Sequence, residues 1–447
     1  MFENKKVLIL GFARSGYEAA KLLRKKNNTV ILTDLKTNHD QEKIEELEKL
    51  GVKLVLGSHP EELLDESFDY LIKNPGVPID HYYVLKAKEL GVKVINEVEM
   101  TYHLLPENIK LVAITGTNGK TTTTTLTYEI LKKAGKSVHL TGNIGFPLCS
   151  FLPKLKENDI IVMELSSQQL ENIHDFKPDI LAITNISPTH LDFFKTYDYY
   201  KEVKAKSFKN LTNKETTIIN MSDEETMILT RNINSTVKYF SSAGTINGCY
   251  IDNDAIYYYG EEIIKLNEIR LVGSHNYENI MTAIMLCKEF KVDNDSIKAI
   301  LTTFNGVEHR LEYVKEVNKR TFYNDSKATN IKSTQIALSS FNKPVILIMG
   351  GQERGQNFMD LKDYVNHVKL IVCYGENKQR VKDFGDTMMI ETLVFDSLKE
   401  AFKKAYELSS EQDTILLSPA TASWDQYDKF EDRGNEFKEL VNELEQK

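Results

Sequence analysis

Cysteine is scarce in this 447-residue chain. The four present, Cys149, Cys249, Cys287 and Cys373, lie far apart with no paired spacing. That argues against a disulfide framework or a cysteine-bound zinc and fits reduced thiols. Long apolar runs are also missing. No stretch approaches the length of a membrane span, and the N-terminal apolar stretch breaks off after about six residues, before Arg14, too short for a signal-peptide core. A cytoplasmic location without a membrane partner is therefore expected. Excess positive charge is lacking as well: 56 Lys and Arg stand against 65 Asp and Glu, a formal net charge of -9. That balance argues against a general nucleic-acid surface, while a local basic pocket for a phosphorylated small molecule stays open. No fixed-period repeat or low-complexity tract occurs.

What is present reads as an ordinary globular protein of several domains, with 41% hydrophobic and 27% charged residues. From Lys6 to about Asn96, short β-branched runs (VLILGF, VILTD, VKLVLG, DYLIKNPG, VKVIN) alternate with helical stretches, the pattern of a parallel, doubly wound sheet. A second series opens at LVAITG, passes through a helix from Lys120 to Ala134, and continues with SVHLTGN, DIIVMELSS and DILAITNIS. A third opens at Arg310 with a β pair, RLEYVKEV and RTFYNDS, and runs through VILIMGG, LIVCYG, TLVFD and TILLSP to a C-terminal helix. The expected fold class is α/β in three domains: residues 1–96 Rossmann-like, 97–305 built on a phosphate loop, and 306–447 again Rossmann-like.

The sharpest motif is Gly116-Thr117-Asn118-Gly119-Lys120-Thr121 between an apolar strand and a threonine-rich helix. Glycines let the backbone wrap an anion, exposed N–H groups and the helix N-terminus attract phosphate, Lys120 reaches terminal phosphates, and Thr121 can ligate magnesium. The longer standard pattern fails, because Ile114 stands where its first glycine would be. Glu164 and His190 each follow an expected buried strand, the end at which open α/β sheets bind ligands. They are candidate metal ligands, with a surface or capping role for Glu164 and a structural role for His190 as the plain alternatives. The N-terminal Gly11-Phe-Ala-Arg-Ser-Gly16, followed by Asp34, is a weak dinucleotide fingerprint, since Ala13 replaces the middle glycine. Another diphosphate, uridine diphosphate among them, remains a candidate, as does a turn that binds nothing.

Together the motifs resemble the Mur ligase family over nearly the whole chain: GFARSG, KNPGVP, GTNGKT, GNIG, ELSSQQLE, THLD, GSHNYEN, EHRLE, NDSKATN, GGQERG and SPATASWDQY. NDSKATN and SPATASWDQY are similar to the D-glutamate-adding branch. The resemblance implies ATP-dependent amide formation through an acyl phosphate, with UDP-N-acetylmuramoyl-L-alanine and D-glutamate as small-molecule substrates, and a monomer is expected. It implies two magnesium ions, the first on Thr121 and Glu164 and the second on His190, and a lysine carbamylated by carbon dioxide. In TYDYYKEVKAKSFKN that lysine is placed at Lys204, with Lys206 as rival and a pair of solvated lysines as the plain alternative.

By the same resemblance, Lys120, His190 and Lys204 are catalytic. ATP is held by residues 116–121 with Thr122, by Asn276, and by His309, Arg310 and Asp325. The UDP-linked substrate meets Arg14, Ser15, Asp34, Leu35, Asn74, Pro75, Gly76 and Asn143. D-Glutamate meets Lys327, Thr329, Arg354, Ser423 and Phe430. Arg354 stands where some relatives have lysine, and Gln168 where relatives often have an aromatic. Three other readings compete. A sister ligase, either a folylpolyglutamate synthetase or another Mur branch, is the first, the folate enzyme being disfavoured by the long segment before the phosphate loop; an NAD oxidoreductase is disfavoured by Ala13. A non-catalytic nucleotide sensor would bind ATP without turnover.

Overall fold

The computed structural model describes residues 2–271 and 273–444. Among these, three sheets form in two compact units. The first unit comprises residues 1–266 and 278–300, and the second comprises 267–277 and 301–447.

The first unit begins with five parallel strands, β1 (Lys6–Leu10), β2 (Thr29–Asp34), β3 (Lys53–Leu56), β4 (Tyr70–Lys73) and β5 (Lys93–Ile95), in the order β3-β2-β1-β4-β5. Val7, Leu8, Ile9 and Leu10 are all buried, as expected of a strand covered on both faces. The chain steps outward from β1 in one direction to β2 and β3, then in the other to β4 and β5. The carboxyl ends of β1 and β4 thus flank a topological switch point, where such sheets bind ligands.

The same unit carries a nine-stranded sheet of β6 (Lys110–Thr115), β7 (Val138–Gly142), β8 (Ile160–Glu164), β9 (Ile180–Ile183), β10 (Thr216–Asn220), β11 (Thr236–Ser241), β12 (Cys249–Asp252), β13 (Ala255–Tyr258) and β14 (Glu261–Lys265). Its order is β14-β13-β12-β11-β10-β9-β6-β8-β7, with β12, β13 and β14 paired antiparallel and the rest parallel. β8, β6 and β9 are adjacent and parallel, so the segments that follow them emerge side by side. The helix after β6, Lys120–Lys133, is rich in β-branched threonine, yet Thr121 to Thr124 and Thr127 are buried in it. Thr124 Oγ1 donates to Lys120 O and Thr127 Oγ1 to Thr123 O, which satisfies those hydroxyls inside the helix. Tertiary burial here overrides local propensity.

The two sheets of this unit are tied by buried polar contacts. Asn96 caps the helix Glu97–Tyr102 by accepting from Glu99 N, and Glu99, itself buried, accepts from the backbone N–H groups of Asp175 and Phe176 at 2.8 and 3.1 Å.

The second unit holds β15 (Glu312–Val317), β16 (Arg320–Asn324), β17 (Val345–Gly350), β18 (Val368–Tyr374), β19 (Thr392–Val394) and β20 (Thr414–Leu417), ordered β15-β16-β20-β17-β18-β19. Only the β15/β16 hairpin is antiparallel. The α/β class and the three parallel-rich sheets read from the sequence are present. The sequence reading assigns no element between Asn210 and Leu271, where β10 to β14 lie. These strands are short and mix apolar with polar residues, as in TTIIN and EEIIK, so their periodicity is weak.

Candidate functional site

The loop after β6 closes where the helix Lys120–Lys133 begins. Gly119 caps that helix with φ of +80°. A Cβ there would stand 2.0 Å from Asn279 Oδ1, and one on Gly116 would stand 2.0 Å from Thr184 Oγ1. No other residue type fits either position without displacing a neighbour. The loop is held from β9: Thr117 N donates to Asn185 O at 2.8 Å, Asn118 N to Asn185 Oδ1 at 3.0 Å, and Thr184 Oγ1 to Asn118 O at 2.6 Å. Thr117 Oγ1 also pairs with Tyr200 OH at 2.8 Å. Thr121 and Thr122 follow on the first helical turn, both buried.

Two lysines converge on this loop. Lys120 Nζ donates to Gly116 O at 3.1 Å and Thr117 O at 2.8 Å. Lys204, on the helix Tyr197–Ala205, donates to Thr115 Oγ1 at 2.9 Å and to the same Gly116 O at 2.7 Å. Only 1% of Lys204 is exposed. Burial drives its pKa well below the ordinary lysine value, the charge of Lys120 lowers it further, and Glu164 opposes. Lys206 is turned elsewhere, its Nζ on Glu171 O.

Glu164 ends β8 and is 2% exposed. Its Oε1 accepts from Asn143 Nδ2 at 3.0 Å, while Oε2 is buried and accepts no hydrogen bond among the described residues. A buried carboxylate oxygen left in this way fits a cation. His190 follows β9 with φ of +52°. It keeps much of its surface open, and its imidazole is pushed down by desolvation first, then by Lys120 and Lys204, with Asp192 opposing. A neutral imidazole is the form that binds metal.

A concavity of about 680 Å³ lies in the same unit, at the switch point between β1 and β4. Arg14, Ser15, Asp34, Asn74, Pro75, Gly76 and Asn143 all line it. Leu35 does not; its side chain is 61% exposed. Asp34 Oδ2 accepts from Phe12 N at 2.7 Å, the Ser15 hydroxyl donates to Asn74 Oδ1, and Arg14 Nη1 donates to Gly145 O at 2.5 Å. The pocket is thus walled by both sheets of the unit, through Asn143 and Gly145 as well as the strand ends of the first.

In the second unit the segments after β16, β20 and β17 carry Asp325, Lys327, Thr329, Ser423 and Arg354, and the remaining candidates lie before β15 and on two helices. Asp325 Oδ2 accepts from Ser418 Oγ at 2.8 Å and Oδ1 from Leu311 N at 3.1 Å. Its burial pushes the carboxyl up to about 7, against those bonds and the charges of Arg310 and Arg433. His309 is buried with φ of +62°, pairs through Nδ1 with Asn324 Nδ2 at 3.0 Å, and meets the Phe430 ring edge-on. Lys327 Nζ stands 5.8 Å from that ring's centroid, and Thr329 follows it. Arg354 lies over the ring of Trp424, the single tryptophan, at 5.5 Å. Ser423 Oγ is buried without a partner among the described residues. Asn276 is buried on the first turn of the helix Ser274–Glu289, and Arg310 is exposed.

Sequence reasoning missed several residues. Tyr200 was visible only as part of the lysine's motif, and its hold on Thr117 is a tertiary fact. Arg433 is fully buried, with Nε on Ser326 Oγ at 3.0 Å and Nη2 on Ser326 O at 2.8 Å and Thr421 O at 3.1 Å. The signal for it was an arginine on the apolar face of the C-terminal helix Phe430–Glu443.

The chain matches three family models: a Mur ligase MurD-like N-terminal domain over residues 5–96, a Mur ligase middle domain over 114–287, and a Mur ligase glutamate ligase domain over 309–421. It is 44% identical over 446 residues to the UDP-N-acetylmuramoylalanine--D-glutamate ligase of Geobacillus sp. (strain WCH70), covering 99% of this chain and 98% of that one. The protein of that name from Bacillus mycoides is 42% identical, again over 99% and 98%. Among solved structures, the fold is shared with UDP-N-acetylmuramate-alanine ligase MurC of Thermotoga maritima at a TM-score of 0.60 and 19% identity, covering 98% of this chain and 100% of that one. A pseudomurein peptide ligase type C of Methanothermus fervidus gives 0.55 and 19%, covering 99% and 100%.

Two outcomes are expected. Gly119→Ala forces a left-handed residue and a side-chain collision at Asn279, and titration calorimetry will show nucleoside triphosphate binding weakened by roughly tenfold or more. Burial raises the folded pKa of Asp325 above the ordinary aspartate value of 3.8, so its contribution to stability is full below about 4 and is lost as pH rises to about 7. Urea unfolding of Asp325→Asn will therefore gain on the native protein across that window, and a parallel pH dependence contradicts it.

Proposed function

This chain belongs to the Mur ligase family, and from that premise we infer that it is the ATP-dependent ligase that joins D-glutamate to UDP-N-acetylmuramoyl-L-alanine in peptidoglycan synthesis. Full-length likeness to ligases of that name supports this reading. The observation that carries the chemistry is the line of three neighbouring strand ends, β8, β6 and β9, which presents Glu164, the loop 116–121 and His190 along one edge, with Lys204 against the loop.

A carboxylate is a poor acyl donor because its leaving group would be oxide. In the proposed reaction a carboxylate oxygen of the UDP-linked substrate attacks the γ-phosphorus of ATP, the bond to the ADP oxygen breaks, and an acyl phosphate forms. The unprotonated amine of D-glutamate then attacks the acyl carbon, the C–O bond to phosphate breaks, and the nitrogen gives up its remaining extra proton. The products are amide, ADP and inorganic phosphate.

The first step brings two anions together, so positive charge must concentrate where they meet. The loop N–H groups, the N-terminus of the helix Lys120–Lys133 and the Lys120 ammonium offer it. Magnesium ions held by Thr121 and Glu164, and by His190 with Lys204, would add Lewis-acid stabilisation of the phosphoryl oxygens. The orphaned Glu164 Oε2 fits that role. A carbamate on Lys204 fits as well. Its formation requires a neutral amine, which burial and Lys120 favour, and it would turn Lys204 into an anionic ligand. The pocket at the β1/β4 switch point is the proposed seat of the UDP-linked substrate, with Arg14 as its cation. In the second unit, Lys327, Thr329, Arg354, Ser423 and Phe430 are the proposed acceptor site, and Asn276, His309, Arg310 and Asp325 the proposed second set of ATP contacts. The cytoplasm, where ATP is made and used, is the proposed compartment.

Phosphate release from ATP with UDP-N-acetylmuramoyl-L-alanine should depend on D-glutamate and fall to background with L-glutamate or L-lysine. Equal release with every acceptor, or none with any, contradicts the assignment. Lys204→Ala should lose activity by roughly a hundredfold or more, and short carboxylic acids in solution should restore part of it. Full activity without rescue removes the carbamate from Lys204.

A further inference from the structure

Beneath the pocket at the switch point lies a buried charge that the proposed chemistry does not use. Lys73 is the last residue of β4, and none of its side chain is exposed. Burying an ammonium is costly unless it is partnered, so its contacts are informative. Its Nζ donates to Val77 O at 2.8 Å. Val77 N in turn donates to Asn74 O at 3.0 Å, so the Lys73 side chain spans the turn Asn74–Val77 that directly follows it. All four residues of that turn line the pocket.

The counter-charge comes from the C-cap of the short helix Ser167–Leu170, which follows β8 of the other sheet. Glu171 Oε2 lies 4.0 Å from Lys73 Nζ, is buried, and accepts no hydrogen bond among the described residues. Glu171 is itself fixed: Tyr199 OH donates to its Oε1 at 3.2 Å, and Lys206 Nζ donates to its backbone carbonyl. The Phe193 ring, 5.6 Å from Lys73 Nζ, closes another side. The remaining charged groups that bear on this pair are Lys88, which repels Lys73, and His81, which Lys73 pushes down.

We propose that Lys73 and Glu171 are positioning residues for the nucleotide-sugar pocket: the buried ammonium braces the Asn74–Val77 turn from below, and Glu171 anchors that brace to the ATP-binding sheet. The pair therefore sets affinity for the UDP-linked substrate and not for ATP. This rests on the reading of the pocket as the UDP-substrate site. The brace is also sensitive to pH. Desolvation pushes Lys73 down to about 8, with Glu171 opposing the shift, so the ammonium that Glu171 attracts is lost as pH rises through that value.

The test is titration calorimetry of the full chain with UDP-N-acetylmuramoyl-L-alanine, and separately with a non-hydrolysable ATP analogue. The variants are Lys73→Met, Glu171→Gln and Arg14→Ala, each checked for folding by thermal denaturation. Lys73→Met should bind the UDP substrate roughly tenfold more weakly and the ATP analogue within about twofold of the native chain. The native Kd for the UDP substrate should rise through pH 8, and in Glu171→Gln that rise should move to lower pH, because the carboxylate that supports the ammonium is gone. This second reading stands even where Lys73→Met does not fold. Weakening in Arg14→Ala but not in a folded Lys73→Met overturns the brace alone; weakening in neither overturns the pocket assignment and the brace with it. Equal weakening for both ligands in Lys73→Met, or an unmoved pH dependence in Glu171→Gln, also overturns it.

Discussion

Two lysine amines meet on one carbonyl oxygen. Lys120 and Lys204 both donate to Gly116 O, and two ammonium ions at that separation in a buried place repel strongly. The structure resolves the conflict by desolvating one of them. Lys204 is enclosed and held toward its neutral form, while Lys120, on the first turn of its helix, carries the charge that the phosphate loop needs. The conflict also explains why a modification that makes Lys204 anionic would suit this position: it converts a repulsion into an attraction and supplies a ligand beside Glu164.

Neighbouring elements of the first unit hold that arrangement. β8, β6 and β9 place the segments of Glu164, the loop and His190 side by side, and Tyr200 reaches from the helix of Lys204 to Thr117 in the loop. Asn143 links the two regions, since it donates to Glu164 and lines the pocket at the β1/β4 switch point. The residue that holds the Glu164 carboxylate is thus also part of that pocket's wall. In the second unit the same logic of carboxyl strand ends gathers Asp325, Arg354 and Ser423 after β16, β17 and β20.

Much of this was legible in the sequence, for identifiable reasons. Parallel strands covered on both faces announce themselves as β-branched runs, and the phosphate loop is a local motif whose glycines answer to local geometry. Glu164 and His190 stand out in the sequence because each comes after such a run. What was not legible depends on tertiary contact. Nothing in DYLIKNPG shows that Lys73 is buried, because a lysine at a strand end is ordinarily solvated. Arg433 left only the signal of an arginine on the apolar face of the C-terminal helix. β10 to β14 were missed because short strands with mixed polarity carry little periodicity. Lys204 and Lys206 could not be separated by spacing alone, and the structure distinguishes them by where each amine ends: one on the phosphate loop, the other on Glu171.

The central claim is that the loop phosphorylates a carboxylate. Its most direct test is isotopic: UDP-N-acetylmuramoyl-L-alanine labelled with oxygen-18 in both carboxylate oxygens is turned over with ATP and D-glutamate, and the released phosphate is examined by mass spectrometry. The account predicts inorganic phosphate carrying one labelled oxygen, taken from the substrate when the acyl phosphate breaks. Phosphate without the label, at full amide yield, would contradict it.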